Sequence, residues 1–230
     1  MLTLFHHPFC PHSRFIRISL GEFGEDVKLV EERVWERRES FLTLNPAGTT
    51  PVLVEDSGLA IPGASVIAEY LNETRANNSQ NHHFLGRDAA SSVEIRRLLS
   101  WFNEKFFAEV SGPLLNERFY KRHLPLSAGG GAPDTDAMRA ARSNIRYHLA
   151  YIGWLVSQRA YLAGEQLTFA DLAAAAHLST VDYLGDVPWN EDETAKTWYA
   201  RVKSRPSFRP ILLEVAAGMA PSATYADLDF

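Results

Sequence analysis

Hydrophobic and polar positions change rhythm once along the chain. Up to residue 76, the short apolar runs Leu2 to Phe5, Val27 to Val30, Pro51 to Val54 and Leu59 to Ile61 are brief and rich in β-formers, so they predict strands. Between and after them, Pro11 to Leu20, Arg37 to Leu44 and Ala64 to Leu71 carry apolar residues at helical spacing. The predicted order is βαβαββα. From Arg75 to Gly86 the chain is polar and aperiodic, which places a linker at residues 77–86. Beyond it the alternating pattern disappears. Leu98, Phe102 and Phe106 lie four apart on one helical face, and Ile145, Leu149, Ile152 and Val156 form a second stripe. The expectation is an α/β unit over residues 1–76, an all-helical unit over 87–220 and a tail over 221–230.

Between the two helical stripes, Leu124 to Pro133 includes Gly129, Gly130 and Gly131. A phosphate-cradling loop needs a preceding strand and a following Lys-Ser or Lys-Thr pair; neither is present, so this segment reads as a connection. Thr168-Phe169-Ala170-Asp171 opens the run Leu172 to Leu178, predicting a helix capped by Thr168 with Asp171 reaching back to it.

Composition narrows the classes of function. The 230 residues are 46% hydrophobic, enough for a packed core. Lys and Arg total 23 against 28 Asp and Glu, a net charge of -5, so no global positive field gathers nucleic acid. The one cysteine, Cys10, excludes an intramolecular disulfide and thiolate-built zinc or iron–sulfur sites. The expected compartment is reducing. Met1 to Phe5 lacks the basic start of a signal peptide, and no run approaches the ~20 apolar residues of a membrane span. A cytoplasmic protein without membrane insertion is expected.

Cys10 falls between the first strand and a helix opening with Pro11, where unpaired N–H groups and the helix dipole favour a thiolate. It reads either as a nucleophile or as a small packed hydrophobe. Ser13 stands where a second redox cysteine would be, so a dithiol cycle is excluded. His6, His7 and His12 raise the question of a metal, but neighbours on a strand point to opposite faces and no acidic residue is close in sequence; no metal site is expected. Thr50-Pro51 starts a strand after a loop. A cis bond there would turn the Thr50 backbone toward an extended peptide ligand, and a plain turn accounts for the sequence equally well.

The βαβαββα half, Cys10-Pro11, Asn45-Pro46 through Pro51, the Thr168 to Asp171 cap, Trp198 and Arg205-Pro206-Ser207-Phe208 together resemble the cytosolic glutathione transferase superfamily over residues 1 to about 215. The resemblance implies a thioredoxin-like N-terminal domain, a helical C-terminal domain and a homodimer. It also implies a glutathione site at Thr50, Pro51 and an acidic-Ser pair whose counterpart here is Ala64-Ser65, which makes the site vestigial. The missing carboxylate removes a charge-assisted hydrogen bond of about 1.5–3 kcal/mol to the ligand's ammonium. Cys10 matches the position of a catalytic Ser or Cys in many members, so an active glutathione-dependent thiol transferase using Cys10, with Ser13 beside it, is the alternative.

The last ten residues alternate apolar and acidic side chains. Tyr225, Leu228 and Phe230, spaced by Asp227 and Asp229, suit either a frayed end or a segment that docks in a partner's groove. This tail, with the run Leu4 to Phe15, resembles the glutathione transferase-like division proteins of alphaproteobacteria. That resemblance implies a noncatalytic homodimer without a cofactor that binds filaments of the tubulin-like FtsZ at the division site and promotes constriction.

Overall fold

The computed structural model describes residues 1–76 and 83–228. Residues 77–82 of the expected linker, and Asp229 and Phe230 of the expected docking tail, lie outside the described residues.

The N-terminal unit follows the predicted order: β1 (Thr3–His6), α1 (Pro11–Phe23), β2 (Lys28–Glu31), α2 (Glu39–Leu44), β3 (Val52–Val54), β4 (Ala60–Pro62) and α3 (Ala64–Arg75). Sheet order is β2-β1-β3-β4. β1 pairs in parallel with β2 and antiparallel with β3, placing Leu4 between Leu29 and Leu53. A parallel pair needs a crossover, and α1 supplies it. Leu4, Leu53, Phe15, Ile16 and Ile67 are fully buried, so strand alternation and the helical stripes meet in one core.

The C-terminal unit is helical: α4 (Ala89–Ser100), α5 (Gly112–Arg118), α6 (Thr135–Ser157), α7 (Phe169–Tyr183), α8 (Glu193–Lys203) and α9 (Arg209–Leu212). α4 and α5 are joined by a π-helical section, Trp101–Ser111, closed by Gly112 N–H donating to Phe107 O. Leu98 of α4 and Phe102 and Phe106 of the π-helical section are all fully buried, the stripe that the four-residue spacing predicts.

Every residue of α7 is buried. Ala173 to Ala176 let neighbouring elements approach closely, and the capping box forms as predicted, with Thr168 N–H donating to Asp171 Oδ2 at 3.0 Å. Asp171 also accepts from Leu162 N–H at 2.8 Å and Trp198 Nε1 at 3.0 Å, so one carboxylate ties three segments together.

The described end of the expected linker is anchored to the helical unit. Phe84 and Leu85 are buried, and Phe84 stacks on Phe169 at 5.1 Å. Two apolar residues inside a polar stretch anchor its end to α7.

Candidate functional site

At the end of β1 the chain turns through His7 to Phe9. Cys10 is the N-cap of α1, with φ -80° and ψ 116°, and Pro11 takes the first helical position, where its missing N–H costs nothing. Cys10 N–H donates to His7 O, and Arg14 N–H donates to Cys10 O, both at 3.0 Å. Cys10 Sγ lies 3.6 Å from Thr50 O, across the cis Thr50–Pro51 bond.

Burial pushes the Cys10 thiol up, but hydrogen bonding and charge from His12, with hydrogen bonds from Ser13, outweigh it and bring it down to about 7. His12 moves the opposite way. Burial lowers it, yet the Cys10 partner and the Asn103 carbonyl leave it raised. His12 Nε2 lies 2.9 Å from Asn103 O, and a carbonyl only accepts, so Nε2 carries a hydrogen. Asn103 Oδ1 is 3.2 Å from His177 Nε2, and Ser111 Oγ is 2.9 Å from His177 Nδ1. The π-helical section thus supplies a polar layer beneath the thiol.

Cys10, Phe107 and Tyr120 line two adjoining pockets of about 370 and 390 Å³. The first also meets His12, Thr50 and Ala64, and its lining contains no Asp, Glu, Lys or Arg. Glutathione carries an ammonium and two carboxylates, and desolvating them without opposite charges is costly.

Several sequence-predicted residues fall elsewhere. Ser13 is fully buried and its Oγ accepts from His7 N–H at 3.3 Å, so it supports Cys10 from behind and does not face a ligand. Ser65 is exposed and does not line the pocket. Pro51 is buried, with its carbonyl accepting from Gly63 N–H at 3.0 Å. His7 packs between Trp35 and Phe119, each with ring centroids 5.4 Å away. Among the described residues no group of three His, Cys, Asp or Glu is arranged to hold a metal ion. Phe107, Tyr120 and Asn103 were missed, because aromatic and polar positions on a helix carry no local sign of what they will face. His12 was weighed only as a metal ligand with His6 and His7; its place two residues after Cys10 is the signal in the sequence for its role beside the thiol.

The second candidate site is the tail, where the expectation for Tyr225 is overturned. Its side chain is fully buried, its hydroxyl donates to Ile211 O at 2.9 Å, and its ring meets that of Tyr183 at 4.9 Å. Tyr225 is therefore a core residue and cannot insert into a partner from this position. Asp227 and Leu228 are exposed.

Comparison with known proteins agrees with this architecture. Residues 4–79 match the family model for the glutathione S-transferase N-terminal domain, and residues 117–206 match the C-terminal domain model. FtsZ-localized protein A of Caulobacter vibrioides is 47% identical, over 99% of this chain and 98% of that protein. The crystal structure of a glutathione S-transferase from Sinorhizobium meliloti 1021 superimposes with a TM-score of 0.97 at 50% identity, covering 100% of both chains. FzlA from C. crescentus superimposes at 0.93 with 47% identity, covering 100% of this chain and 99% of that one. On these matches the chain belongs to the glutathione S-transferase family.

Proposed function

We propose that this chain is a noncatalytic protein on a glutathione transferase scaffold that binds FtsZ filaments as a homodimer and promotes constriction at the cytoplasmic division site. The full-length likeness to FtsZ-localized protein A carries this reading. The pocket bears on the choice between interaction protein and enzyme: with Ala64 where the ligand's ammonium expects a carboxylate, and no acidic or basic lining residue, glutathione loses the partners that would hold it. A two-fold dimer would present two copies of each partner surface and so bridge filaments with avidity. The exposed part of the tail, Asp227 and Leu228, is the proposed contact.

The test is co-sedimentation of the purified chain with FtsZ filaments, alongside its mass in solution and calorimetric titration with glutathione. Saturable co-sedimentation by a dimer, with glutathione binding absent or weak, is expected. Absence of co-sedimentation sinks the filament reading.

One observation favours a second reading, glutathione-dependent thiol transfer. Cys10 is brought down to about 7 and opens onto a pocket, so a thiolate is available near neutral pH. Micromolar glutathione binding, with turnover abolished by Cys10→Ala, would establish it.

A further inference from the structure

Lys203, the last residue of α8, is fully buried. Its Nζ donates to two carbonyls of the C-terminal segment, Thr224 O and Asp227 O, each at 2.7 Å. It also lies 3.6 Å from Asp182 Oδ2 and sits over the Tyr199 ring at 5.5 Å. Asp182, itself buried, is oriented by Trp189 Nε1 at 3.0 Å and accepts from Thr224 Oγ1 at 3.1 Å. Ser222 closes the arrangement, with its N–H donating to Tyr183 O at 3.0 Å and its Oγ to Asp182 O at 2.6 Å.

A buried ion pair is a poor source of stability, because desolvation consumes most of its attraction and apolar residues of similar volume often do as well. What it does supply is geometry. Two carbonyls three residues apart are held by one ammonium inside the helical unit, and between them Tyr225 is driven into the core while Ala226 and Asp227 face solvent. The backbone on both sides of Tyr225 is pinned.

We propose that Lys203 is a positioning residue for partner binding: it staples the C-terminal segment so that Ala226, Asp227 and Leu228 meet the partner in one preset conformation. This rests on the reading that the tail contacts the filament. The staple removes ordering entropy before association, so its loss weakens binding even though Lys203 never touches the partner.

The experiment uses the full chain and Lys203→Met, which keeps the volume and removes the charge. Three quantities are read: a thermal melt, amide hydrogen exchange at residues 224–228, and co-sedimentation with FtsZ filaments. Core protection should persist while tail amides exchange at least about tenfold faster, and filament affinity should fall by about tenfold or more. Unchanged tail exchange overturns the staple, and faster exchange with unchanged affinity overturns its role in binding. If Lys203→Met does not fold, the double variant Ser222→Ala, Thr224→Val loosens the same segment from Asp182 and is read identically. A chain ending at Tyr225 separates the two layers: if it co-sediments like the full chain, the tail-contact reading itself fails, whatever the exchange data show.

Discussion

Glu22 on α1 accepts hydrogen bonds from Nε and Nη2 of Arg205 at 2.7 and 2.6 Å, joining positions 183 residues apart in sequence. The two elements approach closely because residue 21 is glycine; a Cβ there would lie 3.0 Å from Ser207 Cβ. Glu22 is 6% exposed in this pair, so Arg205→Ala would strip a buried carboxylate of its bidentate partner. A loss on the order of 2–3 kcal/mol in urea unfolding is expected. Arg205→Lys should recover only part of it, since an ammonium cannot reproduce the planar fork. A change within about 0.5 kcal/mol would show that the pair contributes no more than ordinary surface charges.

The N-terminal topology was legible because period-2 and period-3.6 patterns are local, and the Thr168 cap because its two partners lie three residues apart. Tyr225 was not legible. Its partners, Ile211 O and the Tyr183 ring, lie 14 or more positions away, and the local alternation of apolar and acidic residues looks the same whether the apolar members face a partner or the chain's own core. At the candidate site, Cys10 and Ala64 were legible from their place in the motifs. Phe107, in the π-helical section, and Tyr120, in the turn after α5, lie about 100 positions from Cys10, so only the fold brings them to the thiol pocket.

Tyr225 and Leu228 should therefore separate stability from binding. Tyr225→Ala removes a fully buried ring and its hydrogen bond, and is expected to cost roughly 3–5 kcal/mol. Leu228→Ala removes a side chain that is 36% exposed and should cost about 1–2 kcal/mol, well below Tyr225→Ala. Asp227→Lys should leave the melting temperature near that of the parent chain while impairing filament co-sedimentation. A cooperative loss of structure in Asp227→Lys would assign that side chain to the fold instead.

Glutathione affinity should respond to one added carboxylate. Ala64 is buried at the start of α3 and lines the pocket, so a Glu side chain there has the pocket to enter and a helix N-terminus that favours its charge; a melting curve of Ala64→Glu accompanies the titration. Titration should show binding strengthened about tenfold to a hundredfold over a weak parent. No gain would mean that more than the missing carboxylate keeps glutathione out.

The Cys10 thiol should titrate early. Alkylation by iodoacetamide is expected to follow a midpoint near 7, because His12 holds the thiolate against the effect of burial. His12→Gln removes the charge, and the midpoint should move up by a unit or more. A midpoint that stays put in His12→Gln would assign the shift to Ser13 and the helix start.

Acid should loosen the fold through His7 before most carboxylates titrate. Burial, with Arg14, His123 and Arg33 nearby, lowers His7 from 6.5 to about 4, and burial with Arg17 and His7 lowers His6 to about 3. Between these values and 6.5 the unfolded chain binds protons that the folded chain refuses, so stability is full above about 6.5 and declines as pH falls toward 4. Each unit of depression is worth about 1.4 kcal/mol, so the His7 contribution at pH 4 is on the order of 3 kcal/mol. His7 Nδ1 accepts from Phe9 N–H at 3.2 Å, a role that Asn Oδ1 can fill without titrating in this range. His7→Asn should therefore be somewhat less stable at pH 7, through lost contact with Trp35 and Phe119, and should lose less between pH 6.5 and 4 than the parent does. Parallel stability-versus-pH curves for the two chains would show that His7 does not carry the acid response.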